Sequence, residues 1–199
     1  MRGNQLAPFS FGRTWTASEL NLSWLEDEWF LRFLDPNSSN GRTMQEHPFA
    51  TGSTTTRFPT RGNSCVRLMK NATGGVIQSG ALVIAAAANY PSEIADETAT
   101  GEVSCGVVDP FLGTTVANGS YCIVIVEGMC KYKLPAASAS VTALDRLLPH
   151  ATEDGRITPV GVPADATAAL ANALACVGRV LETSDVEDAL VIGWKRRQF

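Results

Sequence analysis

The stretch Tyr121-Cys-Ile-Val-Ile-Val126, followed by Glu127-Gly128 and then by Met129-Cys-Lys-Tyr-Lys-Leu134, decides the fold class of this chain. Its first half is a continuous run rich in β-branched residues, which is typical of a central strand that is buried on both faces. Gly128 predicts a break or a bulge, after which the strand continues. We therefore expect a fold built around this buried segment.

Short strands separated by turns extend on both sides of this segment. Strands are predicted over residues 65–70, 76–78, 81–86, 103–108, 121–126, 129–134, 147–151, 156–160, 175–181 and 189–194. Between two of them, Thr152-Glu-Asp-Gly155 is a strong hairpin signal. The Ala-rich residues 164–172 fit either a short helix or a loop. The pattern predicts a mainly β fold, a small β-barrel or sandwich.

The N-terminal part has a different character. Residues 18–34 show helical spacing of apolar side chains, with Ser18 as N-cap and Asp35-Pro36 as the stop. Residues 35–64 carry many breakers and little periodicity, which favours an extended arm or linker. We therefore divide the chain into an N-terminal arm (residues 1–60) with one helix near 18–34, and a β-rich domain (residues 61–199).

Three of the four tryptophans precede residue 30. Exposed aromatic side chains promote aggregation, so the arm is expected to be docked rather than free. Two docking sites remain open: the chain's own β-domain, or a neighbouring subunit or another protein.

Composition and charge disfavour several classes of protein. Only 18% of the residues are charged, against about a quarter in ordinary soluble proteins. The net charge of −4 disfavours a general nucleic-acid-binding protein. The longest apolar run, residues 81–88, is far shorter than the roughly 20 residues of a membrane-spanning helix, so no membrane association is expected. Residues 71–130 carry six acidic residues and neither Lys nor Arg. These acidic residues are expected either on solvated loops or on a face that contacts a basic partner.

The sequence shows no catalytic or metal-binding motif. Five cysteines lack C-x-x-C spacing and mostly stand among aliphatic residues, so we expect buried, reduced thiols. His47 and His150 each adjoin a proline, and neither has a second histidine at ligand spacing. We expect no enzyme, no metal and no cofactor. A small cytosolic enzyme or a ligand-binding β-barrel is the least favoured alternative, and a Cys–His nucleophile pair stays open.

Three stretches resemble a known family. They are Ser64-Cys-Val-Arg-Leu-Met-Lys-Asn-Ala-Thr-Gly74; Cys105-Gly-Val-Val-Asp-Pro110 with Gly119-Ser-Tyr-Cys-Ile-Val-Ile-Val-Glu-Gly-Met-Cys130; and Asp145-Arg-Leu-Leu-Pro-His-Ala-Thr-Glu-Asp-Gly-Arg-Ile-Thr-Pro-Val-Gly161 with Val177-Gly-Arg-Val-Leu-Glu-Thr-Ser-Asp185 and Ala189-Leu-Val-Ile192. Together, over residues 61–194, they resemble the small β-domains of tailed-phage capsid decoration (cement) proteins. That family usually shows Gly-Asp before the hairpin, where this chain has Leu144-Asp145.

The resemblance implies a structural protein of the virion, without catalysis, that is synthesised in the host cytoplasm and binds the outside of an icosahedral phage capsid. The implied partners are the major capsid protein and further copies of this chain, as a homotrimer, with no nucleic acid. A tail or fibre adaptor with the same β-domain is the alternative.

The residues expected to contact the capsid or a neighbouring subunit are the aromatic side chains of the arm and the basic tail. They are Phe9, Phe11, Trp15, Trp24, Trp29, Phe30, Lys195, Arg196 and Arg197. For the basic tail, a solvated terminus is an equally open interpretation.

Overall fold

A computed structural model of the chain describes residues 12–19, 31–34, 64–86, 93–96, 104–137 and 139–196. The strands are β1 (Thr14–Trp15), β2 (Leu31–Leu34), β3 (Ser64–Asn71), β4 (Leu82–Ala85), β5 (Glu93–Asp96), β6 (Ser104–Val108), β7 (Tyr121–Lys133), β8 (Arg146–Pro149), β9 (Ile157–Pro159), β10 (Gly178–Val180) and β11 (Leu190–Lys195). A 3₁₀ turn (Ala17–Glu19) and one α-helix, α1 (Ala166–Ala175), complete the described elements. Within these residues no helix is long and apolar enough to cross a membrane.

The longest strand, β7, organises the fold. It spans 13 residues and is almost continuously buried, which confirms the prediction of a central strand with two covered faces. Its first half pairs with β3 and β6, and its second half pairs with β11. One strand therefore belongs to two sheets and connects them.

The first sheet closes into a barrel of five strands. β7 pairs with β6, β6 with β4, β4 with β5, and β5 returns to β3 in parallel, which in turn pairs with β7. Apolar side chains fill the barrel, most of them small or branched, among them Met69, Val83, Ile94, Cys105 and Val124. The expectation of a mainly β protein with a small barrel is confirmed.

A bulge lets both halves of β7 face one core. On β3, Val66 is paired with Ile125 and Cys65 with Glu127, so Val126 is an extra residue on β7. An extra residue shifts the alternation of side chains by one position. In the larger hydrophobic core, which also contains Leu147 and Val191, the β7 residues are odd-numbered before the bulge (Ile123, Ile125) and mostly even-numbered after it (Cys130, Tyr132), with Met129 as the exception. The predicted irregularity is present, with the register step at Val126 beside Gly128.

The second sheet continues from β7 in the order β11, β10, β8, β9. β8 and β9 form the predicted hairpin, with Leu148 opposite Thr158. His150 belongs to this turn, because its Nδ1 accepts a hydrogen bond from the backbone N–H of Glu153 at 3.1 Å.

The N-terminal helix prediction is wrong over Leu31–Leu34. These residues form β2, antiparallel to β3, with Phe33 opposite Cys65. Pairing with an available strand overrides the local helical spacing, which a Leu-Arg-Phe-Leu sequence satisfies only weakly. The other residues of the predicted helix are a 3₁₀ turn at Ala17–Glu19, or lie outside the described residues.

Other expectations differ in detail. β1 and β5 were not predicted, and residues 76–78 contribute only the isolated bridge of Ile77 to Val116. The Ala-rich segment is a helix, α1. Both described strands of residues 1–60 pair with strands of the β-domain. The division at residue 60 itself stays a prediction.

Candidate interaction face

Three side chains form a row across three neighbouring strands of the second sheet. Arg179 on β10 is directly opposite Arg146 on β8 and directly opposite Trp194 on β11. Directly opposed residues of antiparallel strands project from the same face, and all three are exposed, Trp194 by 40%. Two arginines and one indole thus stand side by side on the outer face of the sheet.

The neighbouring row faces the core and supports the outer one. Leu147, Gly178 and Lys195 are register partners, and all are buried. Below them, the hydroxyl of Tyr132 donates to the carbonyl oxygen of Trp194 at 3.2 Å and lies 3.3 Å from that of Val177. Because these carbonyls belong to β11 and to the residue before β10, the buried phenol ties the two strands together directly beneath the exposed row.

The row borders an open groove of about 390 Å³, called here the arginine groove. Its lining consists of Arg146, Cys176, Gly178, Arg179, Leu181, Trp194 and Arg196. Within the described part of the chain, none of the three arginine side chains makes a hydrogen bond or an ion pair. The nearby acids are engaged elsewhere: Asp145 accepts from the N–H of Thr142 and Glu182 from that of Ile192. The groove is therefore basic and aromatic, and its lining contains no acidic residue.

Helix α1 leads directly into the groove, since Cys176 follows its last residue. Asp165 caps the helix by accepting a hydrogen bond from the N–H of Ala168 at 2.7 Å. The helix packs against β8 but contains no buried residue. Leu170 and Leu174, four positions apart on one face, are 62% and 72% exposed. α1 thus carries an apolar surface next to the basic groove.

Trp15, one of the predicted contact residues, is a core residue of its own domain. It is paired with Tyr121 on β7 and is only 1% exposed, and Arg13 covers its ring at 5.6 Å. Asp109 holds the preceding turn, because its Oδ2 accepts from the N–H of Gly12 at 2.6 Å. The expectation of an anchoring contact is corrected here: a side chain enclosed in its own core has no surface for a partner.

The basic tail is divided between core and surface. Lys195 is fully buried on the inner face of β11, and its Nζ donates to the carbonyl oxygen of Arg196 at 2.7 Å, so the predicted outward contact of Lys195 is corrected. Arg196 is exposed and lines the groove. The remaining predicted contact residues lie outside the described residues: Phe9, Phe11, Trp24, Trp29, Phe30 and Arg197.

Three buried thiols are poor nucleophiles in this fold. The four cysteines whose side chains are described are free and buried: Cys105, Cys122, Cys130 and Cys176. Burial raises the pKa of Cys105 and of Cys130 to about 12 and raises that of Cys122 further. Since the thiolate is the reactive form, Cys105, Cys122 and Cys130 act as small core hydrophobes. Across the described ranges, no three His, Cys, Asp or Glu side chains are grouped to hold a metal ion.

No local sequence pattern marks the arginine groove. Arg146, Arg179 and Trp194 are far apart along the chain, and only the strand register brings them together. Alternation alone could have marked Arg179 as outward-facing, because it stands between the buried Gly178 and Val180.

No family model and no curated protein matches this chain. Among solved structures, the N base of head fiber gp8.5 in bacteriophage phi29 is similar to this chain with a TM-score of 0.42 and 16% sequence identity; the match covers 66% of this chain and 93% of the phi29 chain.

Proposed function

We propose that this chain is a structural protein of a phage virion that binds the outer surface of the capsid and reinforces it, as an oligomer and without catalysis. The sequence resemblance to capsid decoration proteins over residues 61–194 supports the class. The major capsid protein is the proposed partner, together with further copies of this chain.

The observation that carries the proposal is helix α1. This Ala-rich helix has no buried residue, and Leu170 and Leu174 are exposed, so packing against its own domain contributes little to its stability. A helix with apolar side chains around its circumference is stable where other protein surfaces bury it on both sides. Exposed apolar patches are typical of interaction surfaces. A capsid lattice supplies such a cover and multiplies weak contacts by valency.

The test is reconstitution on capsids of the chain's own virus that lack it. Purified protein is mixed with such capsids, the complex is sedimented, and bound copies are counted by quantitative gel analysis. Hundreds of copies per particle and a higher temperature of capsid disruption are expected. A few or a dozen copies would indicate a tail or fibre adaptor instead. Absence of binding, or a purified protein that is monomeric and inert toward capsids, would overturn the proposal.

A further inference from the structure

The arginine groove is electrostatically costly for an isolated chain. Like charges placed directly opposite on paired strands repel each other, as Arg146 and Arg179 do here. Arg196 adds a third guanidinium to the same groove. Among the described residues, no ion pair with a carboxylate offsets this repulsion. Such an arrangement is complementary to negative charge supplied by a partner.

The chemistry of the lining favours a protein partner. Guanidinium groups bind carboxylates through two parallel hydrogen bonds, a geometry that fixes orientation as well as charge. The half-exposed indole of Trp194, beside Leu181, offers an apolar surface between the charges. Trp and Arg are the residues most enriched where a few side chains carry most of the energy of a protein–protein interface. The groove is open, which suits an extended segment better than an enclosed small molecule.

A strained leucine stands at the same end of the sheet. Leu144 has φ +77°, a backbone conformation that favours glycine, yet its side chain is 64% exposed. Its N–H donates to the carbonyl oxygen of Val180, and it lies two residues before Arg146. A strained, exposed apolar residue that serves no core is an observation that points to a contact with a partner.

We propose that the arginine groove binds an acidic segment of the capsid protein, with carboxylates on the guanidinium groups of Arg146, Arg179 and Arg196 and an apolar side chain against the indole of Trp194. This inference rests on the proposed function for the identity of the partner. The carboxylate chemistry itself follows from the groove.

The test compares a carboxylate introduced inside and outside the groove. Arg179→Glu reverses the central charge of the row, and Thr114→Glu places a carboxylate at an exposed position of the loop between β6 and β7, which does not line the groove. In cosedimentation with capsids, Arg179→Glu is expected to weaken binding at least about tenfold, with Thr114→Glu close to wild type. Arg179→Lys keeps the charge but loses the bidentate geometry, so an intermediate affinity is expected. Circular dichroism and thermal unfolding verify that each variant is folded, and Arg179→Gln replaces Arg179→Glu if that variant is not.

A second binding experiment does not require capsids. Binding of poly-L-glutamate, heparin and anionic lipid vesicles to purified protein is measured for wild type and Arg179→Glu. Stronger binding of poly-L-glutamate, lost in Arg179→Glu, supports the groove; stronger binding of heparin or vesicles overturns it. If wild type and Arg179→Glu bind capsids equally, the groove proposal fails while the proposed function stands. If wild type binds poly-L-glutamate through the groove but no capsids, the proposed function fails and the acidic-segment chemistry stands.

Discussion

The hydroxyl of Tyr132 donates a hydrogen bond to the carbonyl oxygen of Trp194 at 3.2 Å, so the core of the second sheet directly holds the backbone of an exposed groove residue. Gly178 lies between them in space, because a Cβ at this position would overlap both the Trp194 carbonyl oxygen and the Tyr132 hydroxyl. The spacing between β10 and β11 below the groove therefore depends on the glycine at position 178 and on the buried hydroxyl of Tyr132.

Gly178→Ala is expected to destabilise the protein by about 1–3 kcal/mol, because one of the overlapped atoms is backbone and cannot move without shifting β11. The matched control is Gly161→Ala, where no atom lies within 4 Å of the added methyl group, and a change within about 0.5 kcal/mol is expected. Urea unfolding of the three proteins measures both effects. Equal midpoints for all three would contradict the packing described here.

Tyr132→Phe is expected to cost about 1–2 kcal/mol, since it removes the donor of a buried hydrogen bond and keeps the ring. The loss should appear as a lower urea midpoint without a change in the slope of the transition, because the surface exposed on unfolding stays the same. An unchanged midpoint would show that the phenol contributes only by packing.

Much of the fold follows from the sequence because burial leaves a local pattern. The run around Ile123 and Ile125 marked the central strand, and the Asp154-Gly155 turn marked the hairpin. The pairing of strands that are distant along the chain leaves no local pattern in the sequence. β2 has local helical spacing but lies against β3, and this contact determines its conformation.

The candidate site was largely beyond sequence reasoning for the same reason. The basic tail predicts an outward contact for Arg196, which does line the groove, but its neighbour Lys195 lies on the other face and is buried. Trp15 shows the converse problem: an early aromatic residue can be an anchor or a core residue, and only its pairing with Tyr121 decides. Register, rather than composition, places Arg146 beside Arg179.

Leu170→Ser tests the apolar face of α1. The side chain is 62% exposed, so stability is expected to change by no more than about 0.5 kcal/mol. If a partner covers it, burial of a leucine is worth about 1.5–3 kcal/mol, and capsid affinity falls at least about tenfold. Val76→Ser, an equally exposed branched residue beyond β3, is the control and should bind as wild type does. Equal binding of both variants would remove α1 from the interface.

Asp109 predicts an unusual pH dependence of stability. Burial raises its pKa to about 7, although the N–H groups of Gly12 and Phe111 act in the opposite direction. The folded state therefore binds an additional proton between the ordinary pKa of 3.8 and about 7. The contribution of Asp109 to stability is then present below about pH 4 and is lost as the pH rises toward about 7.

The measurement is the urea midpoint from pH 4 to pH 7.5 for wild type and Asp109→Asn. The variant is expected to be less stable throughout, because an amide N–H₂ would face a backbone N–H, but to lose less stability as the pH rises. Asp188, whose pKa is lowered by Lys133 and Arg156, contributes equally to both proteins and cancels in the difference. A parallel pH profile for the two proteins would show that Asp109 titrates outside this window.

Leu144→Gly separates stability from binding at one position. Leu144 occupies the residue at which the resembled family usually has glycine, and its φ of +77° is the conformation that glycine adopts without strain. Relief of this strain is expected to stabilise the folded protein by about 1 kcal/mol, since the 64% exposed side chain contributes little to the core. If the Leu144 side chain contacts a partner beside the arginine groove, the same variant should bind capsids several-fold more weakly.

Thermal unfolding and cosedimentation of one preparation measure both changes. Val162→Gly, at a branched residue that is 99% exposed, is the control for lost apolar surface. A more stable Leu144→Gly protein that binds as tightly as wild type would mean that the strain serves no contact.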